Sequence, residues 1–246
     1  MMKIDLNCDL AEGAGIEAEI MPYISSANIA CGFHAGDPAL MKETVRLCMI
    51  HHVAVGAHPS FPDRENFGRT NMEMSPQQVY AIVKEQIILL QTIVTELGTT
   101  VHHVKPHGAL YNMSAKDHLL ARAIATAVHD CDPGLILYGL SGSASLIEAK
   151  SAGLKTAAEV FADRTYQDDG SLTPRTLQNA LITDTHAAVN QAVAFAMSAP
   201  IQSINGKTLV LNAETICLHG DGAHAVEFAQ QIFEGLQTQD IQVGYA

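Results

Sequence analysis

The chain has no run of lysine or arginine, no apolar stretch of membrane-spanning length and no paired cysteines, and each absence removes a class of function. Lysine and arginine total 14 against 26 acidic residues, for a net charge of −12. A nucleic-acid binder needs a basic footprint to neutralise phosphates, so that class is set aside. The longest apolar runs fall far short of the roughly 20 residues that cross a bilayer, so no membrane span is expected. The opening "MMKIDLNCDLAEG" carries Asp5, Asp9 and Glu12 and no apolar core, so it does not read as a signal peptide. The cysteines, Cys8, Cys31, Cys48, Cys131 and Cys217, are odd in number and form no C-x-x-C pair. They read as small buried hydrophobes of a reducing compartment, and a cytoplasmic protein is expected.

Signatures of chemistry are missing as well. There is no H-E-x-x-H, no G-x-x-x-x-G-K-[ST] phosphate loop and no G-x-G-x-x-G after the first strand. "GLSGSAS" at 139–145 has the wrong spacing for a nucleophile elbow. A zincin, a self-sufficient nucleotide binder and a serine hydrolase of that type are therefore not indicated.

What is present is a near-continuous alternation of strand and helix patterns. Strands are expected at Lys3–Cys8, Ala27–Cys31, Val53–Ala57, Val101–Lys105, Leu135–Gly139, Lys155–Val160 and Thr215–Leu218. Helices are expected at Pro38–His52, Ser75–Leu97, Ser114–His129, Ser143–Ala152, Asp184–Ser198 and Ala223–Leu236. Asp37 with Pro38, and the Ser-Pro-Gln-Gln box opening at Ser75, supply helix starts, and Gly98 and Gly153 supply stops. Thr208–Leu211 has strand character without an assignable role. With 246 residues, parallel β/α units and no linker-like tract, the reading is one α/β domain over residues 1–246, a TIM-like barrel of seven units. An open doubly wound sheet is the other arrangement that periodicity allows.

Four segments share a grammar: "NIACGFHAGDP", "VAVGAHPS", "HHVKPHGA" and "TICLHGDG" each run from an apolar stretch into a histidine flanked by small residues. In the first strand Asp5, Asn7 and Asp9 occupy one face, a costly ladder in a parallel sheet unless its members are paired or functional. Alternation likewise groups Asn28, Gly32 and His34; Gly56 and His58; His103, Lys105 and His107; and Thr215, Cys217 and His219, with Glu159 alone on its strand. In a barrel these groups converge at the C-terminal mouth, where such folds keep their active sites. Gly32, Gly56 and Gly139 are expected to keep the lumen open. A single strand-end histidine is ordinarily a hydrogen-bonded structural group; four with shared carboxylates and a lysine read as a site. Catalytic candidates are thus Asp9, His34, His58, Lys105, His107, Glu159 and His219. The spacings His34-x-x-Asp37 and His219-Gly-Asp221 suit either metal ligands or an acid/base pair, so metal-assisted and metal-free hydrolysis both stay open. Two long loops, 58–74 and 161–175, add Arg64, Arg69, Arg164 and Tyr166 as holders of an anionic group.

"IDLNCDLAEG", "NIACGFHAGDP", "VGAHPSFPD…FGR", "VKPHGALYN", "EVFADRTY" and "CLHGDG" together resemble the LamB/YcsF family, in family order and over residues 3 to about 237. The resemblance implies a (β/α)7 barrel of the glycoside hydrolase/deacetylase type. It implies ATP-dependent hydrolysis of the lactam 5-oxo-L-proline to L-glutamate, with ATP as cosubstrate and separate B and C subunits of a 5-oxoprolinase as partners. From the residues themselves, Asp5, Asn7, Asp37, Arg69, Tyr111, Arg164 and Asp221 are taken as substrate-binding, and a divalent metal between Asp9 and the histidines is possible. Two rival readings are a stand-alone metal-dependent amide or sugar deacetylase and a non-catalytic subunit that captures a small acid.

Overall fold

A computed structural model describes residues 2–218 and 225–245; His219 and Asp221 lie outside the described residues. In chain order the elements are β1 (Met2–Leu10), α1 (Glu17–Ile20), β2 (Ser26–Ala30), α2 (Pro38–His51), β3 (Ala54–His58), α3 (Pro76–Leu97), β4 (His103–Val104), α4 (Gly108–Ser114), α5 (His118–Cys131), β5 (Ile136–Leu140) and α6 (Ala144–Ser151). They continue with β6 (Lys155–Phe161), α7 (Thr185–Ala196), β7 (Ile201–Gln202), β8 (Thr208–Leu209), β9 (Thr215–Leu218), α8 (Ala225–Thr238) and β10 (Ile241–Val243).

The strands β1-β2-β3-β4-β5-β6-β9 are all parallel, and β1 pairs with both β2 and β9, which closes them into a barrel. That closure settles the choice against an open sheet. The short β10 adds to the free flank of β1, with Met2 opposite Ile241. The Thr208–Leu211 segment resolves as β8, which pairs antiparallel with β7 apart from the barrel. The helix expected from Ser114 begins at His118, because Asp117 accepts from the amides of Leu119 and Leu120 and caps α5, and a separate helix, α4, precedes it where none was expected. Asp37 caps α2 in the same way, and Ser75 with Gln78 completes the capping box of α3.

Outward strand residues such as Leu6, Ile29, Val104, Leu137, Val160 and Ile216 are buried within the same apolar core as Met41, Val83, Leu90, Ile124 and Ile232 of the helices. The inward face follows the strand register: Asn7 beside Ser26, Asp9 beside Asn28, Gly56 beside His103, and Glu159 beside Thr215. A barrel interior ordinarily holds layers of branched aliphatic side chains. Here the inward face is largely polar.

The glycines do not all play the part expected of them. A Cβ on Gly56 would lie 2.0 Å from Nε2 of His103, so this glycine makes room for a core imidazole rather than for a ligand. Gly139 meets Leu146 and Ser145 of α6 and therefore serves helix packing outside the lumen. Strand alternation also does not carry as far as His34, because β2 ends at Ala30 and the chain turns at Gly32 with φ +92°. His34 reaches the mouth on a loop.

Two outcomes follow. Gly56→Ala is expected to destabilise the protein by about 3 kcal/mol or more, since His103 is fully buried and has nowhere to move; an unchanged urea midpoint would contradict this account of the lumen. Burial raises the thiol pKa of Cys8, Cys31, Cys48 and Cys217, while Cys131 is only half-buried. A thiol reagent under native conditions is therefore expected to label Cys131 alone, and Cys131→Ser to abolish the labelling.

Candidate active site

The site begins low in the barrel. Asp5 is fully satisfied by four hydroxyls: Ser25 and Ser26 donate to Oδ1 at 2.6 and 2.7 Å, and Tyr138 and Thr215 donate to Oδ2 at 2.9 and 2.7 Å. One layer up, Asn7 donates to Thr215 Oγ1 at 2.6 Å and to Glu159 Oε1 at 3.0 Å. Its own Oδ1 accepts from Asn28 at 2.7 Å and from Lys105 at 3.3 Å. Asn28 also donates to Asp9 Oδ1 at 2.8 Å, and its carbonyl accepts from His103 Nε2 at 2.8 Å. Every polar atom of the two asparagines is thereby used, and such a network fixes one geometry.

Lys105 sits above them, almost wholly buried. Its Nζ lies 2.8 Å from Asp9 Oδ1, 3.0 Å from Glu159 Oε1 and 3.0 Å from Cys217 Sγ. Burial alone would lower the ammonium pKa, but Asp9, Cys217 and Glu159 outweigh it and hold the pKa well above the ordinary lysine value. Removing the lysine would take the shared cation from two buried carboxylates, a loss of about 3–5 kcal/mol by analogy with broken buried pairs.

At the mouth stand Glu12, His34, His58 and His107, whose candidate ligand atoms lie within 4.8 Å of one another. His58 Nδ1 lies 2.7 Å from the carbonyl oxygen of Lys105, and His107 Nε2 lies 2.8 Å from that of Phe67. A carbonyl only accepts, so both of those ring nitrogens carry the proton. The remaining nitrogens, His58 Nε2 and His107 Nδ1, face each other at 2.9 Å. Burial and the neighbouring His58 lower the pKa of His107 to about 3, and His34 is lowered by burial and by the other two rings. His34 stacks on His107 at 3.8 Å, meets Glu12 Oε1 through Nε2 at 3.1 Å, and leaves Nδ1 buried with no partner. Such a group of three imidazoles and a carboxylate is able to hold a metal ion.

These groups floor a cavity of about 670 Å³, walled by Tyr111, Leu140, Phe161 and Leu172 and rimmed by Arg69, Lys116 and Arg175. The structure brings Asp9, Lys105, His58, His107, Tyr111, Arg69 and Arg164 to this cavity, with Glu159 just beneath Lys105 and His34 against His107. It places others elsewhere. Asp5 and Asn7 support the floor from below, and Asp37 is an exposed helix cap. Arg64 clamps the carbonyls of Gly32 and Gly36. Arg164 lines the cavity but donates to the carbonyls of Ala180 and Thr173, so it pins the covering loop. Tyr166 is buried in the same way, its hydroxyl accepting from the Phe161 amide. Glu12 and Phe67 were not foreseen, and Asn28 and His103 were expected on the inward face but not among the site residues. Glu12 was visible in the acid spacing of "CDLAEG"; it follows Ala11, whose φ of +59° turns the chain as it leaves β1.

The LamB/YcsF family model matches residues 4–246. A protein of Shouchella clausii, named as the A subunit of 5-oxoprolinase, is 53% identical over 248 residues, covering 99% of this chain and 98% of that one. One of Geobacillus kaustophilus with the same name is 52% identical over 247 residues, covering 99% and 96%. The crystal structure of a lactam utilization protein from Thermus thermophilus superposes with a TM-score of 0.94 at 43% identity over all of both chains. A peptidoglycan deacetylase, PdaC, of Bacillus subtilis shares the fold at a TM-score of 0.50 and 13% identity, covering 100% of this chain and 88% of that one.

His103, His34 and His107 are held neutral in the native chain because burial lowers their pKa values, whereas an unfolded histidine takes up a proton below about pH 6.5. The unfolded state therefore binds more protons in that window, and stability falls with falling pH by about 1.4 kcal/mol per unit for each such histidine. Urea denaturation in chelator is expected to show this fall between pH 6.5 and 5; a flat profile would contradict the buried neutral rings.

Proposed function

The chain belongs to the LamB/YcsF family, and from that premise we propose that it is the A subunit of a 5-oxoprolinase, a cytoplasmic hydrolase that opens the lactam of 5-oxo-L-proline to L-glutamate in a reaction coupled to ATP hydrolysis. The observation that carries the reading is the floor of the cavity, where one buried ammonium is shared between Asp9 and Glu159 beside three imidazoles. That floor suits attack of water on an amide. Opening an unstrained lactam is difficult, and coupling to ATP activates the amide toward attack.

Asp9 is the base for the attacking water. Lys105 and Asn28 hold its Oδ1, while Oδ2 is turned toward His58 Nε2 at 3.4 Å. Lys105 supplies positive charge beside the developing oxyanion. Glu159 keeps Lys105 in place, and His34, His58 and His107 form the wall on which the reacting carbonyl rests. Arg69, over the Phe67 ring at 4.8 Å, and the rim cation Arg175 hold the substrate carboxylate. Tyr111, whose buried hydroxyl lies beside Glu159, offers a hydrogen bond to the ring. A divalent ion held by Glu12, His34, His58 and His107 would supply Lewis-acid polarisation. ATP is bound with the B and C subunits, since this sequence carries no phosphate loop of its own.

The imidazole cluster also favours one rival, a metal-dependent amide or sugar deacetylase that works alone. The two separate in a single assay of glutamate release from 5-oxoproline and ATP, run with this chain alone and then with the B and C subunits. Release only in the complete mixture, lost at least about 100-fold on Lys105→Met, is the expected outcome. No release from a complete mixture whose B and C subunits work with another A subunit would defeat the proposal. Tyr111→Phe is expected to weaken turnover by about 10-fold, the worth of one hydrogen bond, with the folded state unchanged by circular dichroism.

A further inference from the structure

The barrel has a second opening, at the end where its strands begin. A cavity of about 560 Å³ lies there, walled by Ile136, Leu154 and Ala213 and edged by Lys3 of β1, Lys150 of α6 and Lys155 of β6. It is separate from the cavity at the mouth: Asp5 lines this one, Asp9 lines the other, and the fully buried Asn7 between them lines neither. The strands β1 and β6 stand on either side of β9, and Glu214 at the cavity edge directly precedes β9. Lys3 and Lys155 therefore flank the seam at which the barrel closes.

The chain as a whole is acidic, with a net charge of −12, yet this cavity gathers three lysines against two carboxylates. Neither carboxylate pairs with them. Asp5 is saturated by its four hydroxyl donors, and Glu214 turns Oε2 to the amide of Ala158 at 2.7 Å. Among the described residues Lys150 and Lys155 make no ion pair, whereas Lys42 meets Glu96 at 3.0 Å and Lys105 meets Asp9 at 2.8 Å. Lys3 is placed by the segment after β10. Its stem crosses Gly244, where a Cβ would lie 2.7 Å from Lys3 Cε, and its Nζ donates to the Tyr245 carbonyl at 2.5 Å. The other ammonium protons of Lys3 stay free.

We propose that this cavity binds a compact anion of two or more charges, a phosphate or a dicarboxylate, between Lys3, Lys150 and Lys155. Three ammonium groups supply charge-assisted hydrogen bonds. The Thr156 hydroxyl, unbonded to the described residues, adds a neutral donor on the same wall. The bound anion joins β1 to β6 across β9 and so locks the seam of the barrel. Barrels of this kind carry out their chemistry at the opposite end, so the ligand is an effector of stability and not a substrate. The site stands whether or not a lactam is the substrate at the mouth.

The test is acylation of the lysines in the full chain, read residue by residue by mass spectrometry. Inorganic phosphate and succinate serve as probes, with sodium chloride of equal ionic strength as the reference. At least one probe is expected to slow labelling of Lys150 and Lys155 by about 10-fold near saturation, with Lys42 and Lys207 unaffected, and to raise the urea midpoint. Whichever protects at the lower concentration identifies the anion as phosphate or dicarboxylate. Lys155→Ser should weaken the protection of Lys150 by about 10-fold or more, the worth of one charge-assisted hydrogen bond. Gly244→Ala, which displaces the Lys3 stem, should weaken it as well, while Lys116→Ser and Arg175→Ser at the mouth should leave it intact. Circular dichroism establishes that each variant is folded. Protection by neither probe, equal protection of Lys42 and Lys207, or undiminished protection in folded Lys155→Ser would overturn the proposal. Protection that arises only with the B and C subunits would overturn it too, in favour of a protein partner on this face.

Discussion

Much of this molecule depends on the Lys105 ammonium lying between Asp9 and Glu159 inside a closed barrel. The three groups come from β1, β6 and the residue just after β4, so this contact ties together strands that are not neighbours in the sheet. An ion pair so buried gains little net stability over an apolar packing of the same volume. Its presence is explained by function better than by stability, and the asparagines beneath it hold it in one arrangement.

The network has a graded structure. At the bottom, Asp5 is closed off by four hydroxyls and has no capacity left. In the middle, Asn7 and Asn28 use every donor and acceptor they have. At the top, His34 Nδ1 is buried without a partner, and the Tyr111 hydroxyl is held up in pKa by burial and by the neighbouring Glu159. Bonding is thus complete at the bottom and middle of the barrel, while His34 at its mouth keeps a ring nitrogen unused, which separates a supporting scaffold from a reactive surface.

The barrel was legible in the sequence because strand and helix periods alternate without interruption, and its strands were located to within a residue or two at Lys3–Cys8, Lys155–Val160 and Thr215–Leu218. Period-2 alternation also found the inward ladder of Asp5, Asn7 and Asp9. It erred wherever a side chain's duty depends on a neighbour far away in sequence. Asp5 looked like a site residue but meets Ser25, Ser26, Tyr138 and Thr215; Asp37, read both as a helix cap and as a site residue, is the cap. Gly56 looked like open space but accommodates His103, and Arg164 turned inward to hold its own loop. Glu12 and Phe67 escaped notice because their roles come from left-handed turns at Ala11 and Phe67, which no hydrophobic pattern announces.

The closure of the barrel through β1 and β9 has a consequence for how the protein comes into being. Asp9 leaves the ribosome well before the strand that flanks its own, Thr215–Leu218. Until then β1 presents an unpaired edge, and Thr215, which bonds both Asp5 and Asn7, does not yet exist. Such non-local pairing is slow to form and exposes aggregation-prone surface while it waits. The nascent chain therefore holds one edge of β1 open until Thr215–Leu218 has been made, and the barrel can close only after that.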